Sequence, residues 1–295
     1  MIFDIFRNIL IADVYSKSVS QIIDKPHFIR IYGNIEFGYE PIVPMTKFTG
    51  TDQFEATYIT RFAHLFMSII LNHKKEYIQM KAAKNNLNFF KMYSDTTISN
   101  VRAFGVPMVD DFQFALALKE LMNPSGRNLI MKDEAEVVNG LSPFLLALPG
   151  ITLADSNLMY ALFHNIKFKP TTQFILEELM KFTSRRIYCN EDSYYTEDLA
   201  DLHEYTADYS AHNTFARNIN DACEIVLDTN SLYDTINCGM ARFNNRGNAV
   251  AVIAAYLQSC DENYDDDIPD WVLDKIKDIK GMERITEKFE RWVQG

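Results

Sequence analysis

The residues of this chain whose types and spacing could do chemistry gather between Cys189 and His212, in the run CNEDSYYTEDLADLHEYTADYSAH. His203, Glu204, Asp208 and His212 are the only group resembling a ligand set. On a helix, 204, 208 and 212 would share one face through i, i+4 spacing, and three oxygen or nitrogen donors there could hold a divalent ion for a metal-dependent hydrolase. Metal sites usually draw ligands from separate elements, and the surrounding acids and tyrosines suggest an exposed surface, so no metal, cofactor or catalytic residue is assigned. Elsewhere the chain has no G-x-S-x-G elbow, H-E-x-x-H, G-x-G-x-x-G, P-loop or EF-hand loop. His27, His64, His73 and His164 are isolated, and those within helical patterns read as packed or surface imidazoles. Asp110-Asp111 precede FQF, which lacks an acidic continuation to hold magnesium, and they read as a helix N-cap.

The same acidic stretch has a use that needs no catalysis. Ile187 to Ala216 contains no lysine or arginine. If 196–209 is helical, Glu197, Asp201, Glu204 and Asp208 fall on one stripe, three or four residues apart. Carboxylates about 5–6 Å apart loosely copy the charge row of a nucleic-acid backbone and suit a cationic channel. Glu191, Asp192 and Asp198 add to the charge. Tyr194, Tyr195, Tyr205 and Tyr209 supply the aromatic area favoured in protein interfaces. These eleven residues are the expected partner-binding set. Ordinary solvated surface is the competing reading, although like charges at i, i+4 cost stability and are not concentrated without consequence.

Charge and cysteine usage frame this stretch. The net charge is −11, with 20 Lys/Arg against 18 Asp/Glu in residues 1–187 and 9 against 22 in 188–295. Phosphate affinity is largely cationic, so direct nucleic-acid binding by the whole chain is not expected. Cys189, Cys223, Cys238 and Cys260 all lie in the acidic third, without a C-x-x-C pair, and read as reduced, half-buried thiols. MIFDIFRNILIAD lacks a basic n-region and a cleavage site, and no run is long enough for a membrane span. A soluble protein of the cytoplasm is expected.

The positioning elements read as helix-dominated α+β with a small antiparallel sheet. Ile2, Ile5, Phe6 and Ile9 suggest a short amphipathic helix. HFIRIYGNIEFGY, with Gly33-Asn34 at its centre, reads as a hairpin, and 96–106 as a strand ended by Pro107. Residues 53–73 carry a helical stripe of Tyr58, Phe62, Leu65, Phe66, Ile69 and Ile70. A basic run of Lys74, Lys75, Lys81, Lys84 and Lys91 follows it, read as a solvated face or a contact for a negative partner. After a loop-rich 123–150, helices are expected at 153–166, at 171–185 (Phe174, Ile175, Leu179 and Phe182 inward), at 214–227 and at 249–259. NCGMARFNNRGN reads as a loop or short hairpin, DENYDDDIPD as an acidic loop, and the last residues as two short helices around Gly281. The change in charge and cysteine usage sets an N-terminal mixed α/β region, 1–187, against an acidic, mostly helical region, 188–295.

In length, acidity, Asn-, Tyr-, Phe- and Ile-rich composition and want of a catalytic motif, the chain resembles the phage Gabija anti-defence protein family. The 191–208 stretch is the suggestive part, and no functional residue is carried over. The resemblance implies a non-enzymatic, self-associating inhibitor in the host bacterial cytoplasm, one that wraps a nuclease–helicase defence complex and blocks its access to DNA. A virion structural or assembly protein would share the composition and the self-association.

Overall fold

The computed structural model describes residues 1–19, 170–188, 194–241 and 246–295, with positions 54, 56, 60, 63, 64, 67, 68, 71, 72, 74 and 75. Among them the fold is helical: α1 (Ile2–Val19), α2 (Pro170–Tyr188), α3 (Tyr195–Ser210), α4 (Thr214–Asp228), α5 (Leu232–Ala241), α6 (Gly247–Gln258), α7 (Asp270–Lys275) and α8 (Ile279–Gln294). The expected antiparallel sheet is not supported. Among the described residues the extended pairings are two isolated parallel bridges, Phe54 with Ile276 and Ser231 with Asp265. The segments read as hairpin and strand, the Asp110-Asp111 cap and the 153–166 helix lie outside the described residues. Among the described residues no helix is long and apolar enough to cross a membrane.

The chain forms two compact units, Met1–Thr57 with Arg185–Glu283, and Tyr58–Ser184 with Arg284–Gly295. The first is built around α6. Its sequence, GNAVAVIAAYLQ, holds no charged side chain, and Ala249 to Gln258 are all buried. A helix apolar on every side must be enclosed on every side, and α1, α4 and α5 enclose this one. The helix α3 lies outside α4.

The helix α1 is longer than its first turns suggest, and Asn8 to Ser16 are buried throughout. Of its buried polar groups, those of Asn8, Tyr15 and Ser16 are hydrogen-bonded. Asn8 Nδ2 donates to Ser259 Oγ at 2.9 Å and Tyr264 Oη at 2.8 Å. Asn248 Nδ2 donates to Ser16 Oγ at 2.6 Å, and Tyr15 Oη to Asn237 Oδ1 at 3.2 Å. A buried polar group left unbonded would cost about 1–3 kcal/mol.

The segment NCGMA is not a loop but the last half of α5. Gly239 serves close packing rather than a turn, because a methyl added there would stand 2.5 Å from Ala251 Cα on α6. Gly247, at the start of α6, is equally tight: the added carbon would meet the Met240 carbonyl oxygen at 2.6 Å. The helix α4 buries Ile219, Ala222, Cys223 and Val226, which recur at the helical period.

In the second unit, α2 buries Ile175, Leu179 and Phe182, whereas Phe174, expected inward, is exposed. It lies one position off the 3.6-residue stripe its neighbours define. His64 is a packed imidazole, with Nδ1 2.9 Å from the Thr60 carbonyl oxygen and Nε2 3.4 Å from Thr286 Oγ1. Ala63, Met67 and Phe289 are buried in the same unit.

Candidate functional site: the acidic face of α3

Two faces of α3 follow from its period. Tyr195, Leu199, Leu202 and Thr206 are buried. Glu197, Asp201, Glu204 and Asp208 are all exposed on the opposite side. From 197 to 208 the row runs roughly 16 Å at the helical rise of about 1.5 Å per residue. Glu197 in the first turn complements the positive end of the helix, whereas Asp208 in the last turn opposes the negative end. Arg217 of α4 supplies the missing cation there. Its Nε donates to the Ser210 carbonyl at 2.9 Å and an amino nitrogen to that of Ala211 at 3.2 Å.

The N-terminal end of α3 is held by side chains. Arg185 pairs with Asp198 at 3.0 Å, and Arg186 stands 3.9 Å from the other carboxylate oxygen. Arg186 is 4% exposed and lies over the Tyr195 ring, 5.4 Å from its centroid. Tyr195 Oη donates to the Leu257 carbonyl of α6 at 2.8 Å. Burial, with a smaller contribution from the nearby Cys260, pushes the Tyr195 phenol well above 10, so it stays a neutral donor. Arg185 and Arg186, in the last turn of α2 where cations complement the helix dipole, therefore also clamp the base of the acidic helix. An Arg-Arg dipeptide at a helix end gives no sign of which carboxylate it will meet.

The structure separates the eleven expected partner-binding residues. Glu197, Asp201, Glu204 and Asp208 form the exposed row, and Tyr194 beside it is 53% exposed. Asp198 is half-buried in its ion pairs. Tyr195 is core, and its buried ring is not available to a partner. Tyr205 and Tyr209 are half-buried with ring centroids 5.6 Å apart. Glu191 and Asp192 lie outside the described residues.

The His203 group does not assemble. His203 is half-buried, and α3 ends at Ser210, so His212 sits in the following turn and leaves the 204/208 register. Among the described residues no group of three or more His, Cys, Asp or Glu could hold a metal ion. Cys223, Cys238 and Cys260 are thiols, fully buried rather than half-buried, and burial raises the Cys223 thiol far above its ordinary value. Cys189 lies outside the described residues. Lys74 and Lys75 are exposed, and Lys81, Lys84 and Lys91 lie outside the described residues. The arrangement offers a fixed line of negative charge with one exposed aromatic ring beside it. Comparison with known protein families and with curated proteins gives no match to this chain.

Proposed function

We propose that this chain is a non-enzymatic inhibitor of the phage type, which self-associates and binds a host nuclease–helicase defence complex to block its access to DNA. The observation that carries this reading is the exposed row Glu197, Asp201, Glu204 and Asp208, on a helix whose opposite face is locked into the core. Four carboxylates at near-regular spacing on a rigid support present to a basic groove what a phosphate backbone presents. Complementary charge speeds encounter and fixes register, and the exposed Tyr194 can add buried area at the edge.

The test is the double substitution Asp201→Lys/Glu204→Lys. Co-elution with a bacterial defence nuclease and protection of DNA from cleavage should both be lost. The fold should be unchanged, because exposed substitutions of this kind shift stability by about 0.5 kcal/mol or less. Retained co-elution and protection in the variant would remove the row from the interface. Unchanged cleavage with no complex across defence nuclease–helicase systems would reject the inhibitor reading.

A further inference from the structure

The chain carries a second charged row, of the opposite sign. The helix α8 buries Thr286 and Phe289, and its other side carries Lys280, Arg284, Lys288 and Arg291, all exposed. Spacings of four, four and three residues keep these cations on one stripe. The carboxylates of α3, Glu197, Asp201, Glu204 and Asp208, are spaced four, three and four. Either row runs roughly 16 Å at the helical rise of about 1.5 Å per residue. Each stands on a helix whose opposite face is packed, so its charges reach a partner already ordered.

These charges are also largely uncommitted. Among the described residues one of the eight has an ion-pair partner, Arg291 with the exposed Glu287 at 3.1 Å. Like charges at i, i+4 repel along each helix, and laying one row against the other relieves both repulsions at once. We propose that α8 docks by its basic row on the acidic row of α3 in a second copy of this chain.

Charge complementarity selects this occupant. A nucleic acid offers negative charge at every step, and Glu287, inside the basic row, would face phosphate. The α3 row is interrupted by the exposed Ala200 and Ala207, which leave neutral ground for Glu287 and room for long cationic side chains. The net charge of −11 repels a second copy at a distance. That repulsion is screened beyond about 8 Å at physiological ionic strength, whereas paired rows act at contact. Tyr194, 53% exposed beside the acidic row, adds a ring on which a guanidinium stacks. Exposed pairs are individually weak, so the contact is reversible, and a more basic groove displaces the second copy from α3. This pairing supplies a surface for the self-association in the functional reading and rests on the same exposed row, but it needs no host enzyme.

Sedimentation velocity of the full chain, with no nuclease present, reads the contact; failure here leaves the inhibitor reading to its own assay. The unaltered protein should self-associate at about 0.1 M salt and at least about tenfold more weakly at about 1 M, where charges are screened beyond about 3 Å. Asp201→Lys/Glu204→Lys and Arg284→Glu/Lys288→Glu should each weaken association by about tenfold or more at the lower salt, because like rows then meet. Mixing the two variants should restore it to within about threefold, since each then meets a row of opposite sign. Helical circular dichroism checks that each variant is folded, and the salt dependence requires no variant. An unaltered protein that stays monomeric, salt-independent association, variants that associate undiminished, or a mixture of folded variants that fails to recover would each overturn the proposal. So would DNA binding by the unaltered protein that is lost in Arg284→Glu/Lys288→Glu while self-association persists.

Discussion

Gly239→Val will lower the stability of the first unit by about 3 kcal/mol or more. Two effects oppose each other at this position. A side chain in place of glycine improves helix propensity, by about 1 kcal/mol for alanine and less for a β-branched residue. Against that, the new Cβ would lie 2.5 Å from Ala251 Cα and 2.8 Å from its nitrogen. The obstruction is backbone of a fully buried helix, so no side chain can rotate away, and α5 must lift off α6. The steric term wins. Gly239→Ala should show the same sign at a smaller size, about 1–3 kcal/mol. A natural stability of about 5–15 kcal/mol makes either loss easy to see. Urea unfolding followed by helical circular dichroism measures it, and an unshifted midpoint for Gly239→Val would mean that α5 and α6 are not in contact at this point.

The second large effect distinguishes two adjacent tyrosines. Tyr195→Ala should cost about 3–5 kcal/mol, as truncation of a buried aromatic does, because the ring lies under Arg186 and against the α6 end of the core. Tyr195→Phe should cost only about 1 kcal/mol, the net worth of the bond to the Leu257 carbonyl, with the ring under the guanidinium preserved. Tyr194→Ala, at a site 53% exposed, should leave stability unchanged within about 0.5 kcal/mol. Thermal unfolding of the three variants settles the order. Equal losses at 194 and 195 would show that the register of α3 is wrong by one residue, and the acidic row with it.

Some of this was legible from the residues. The 249–259 run has no charge to turn toward water, and a buried helix was the only comfortable reading. The stripe of α4 and the 197–201–204–208 row obey the helical period, so inward and outward faces could be named before any packing was known. The period also set Tyr195 beside Leu199 and Leu202 on the inner face, but a cluster of four tyrosines among acids drew the eye to surface anchoring instead. Gly239 was misleading for a physical reason. It lies in NCGMARFNNRGN, whose glycines and asparagines together advertise a loop, and nothing local distinguishes that from a glycine selected by the closeness of another helix. The Arg186–Tyr195–Asp198 contact belongs to the same class, since sequence supplies the groups and packing chooses the partners. For α1, the polar residues Asn8, Asp13 and Ser16 hid its depth, because their partners include Asn248 and Ser259, more than 230 residues away.

That last separation has a consequence for how the protein comes to be made. The helix α1 emerges long before α6, carrying Ile2, Ile5, Phe6, Ile9, Leu10 and Ile11, which are buried in the finished fold. Its principal neighbour, α6, begins at Gly247. At roughly 5–20 residues per second, the ribosome leaves this apolar helix without its cover for something like ten to fifty seconds. A pairing so distant along the chain also slows folding, since the intervening loop must close before the contact repays it. Docking of α1 onto α6 is thus necessarily a late event in the making of this unit, since it waits for the chain to reach Gln258.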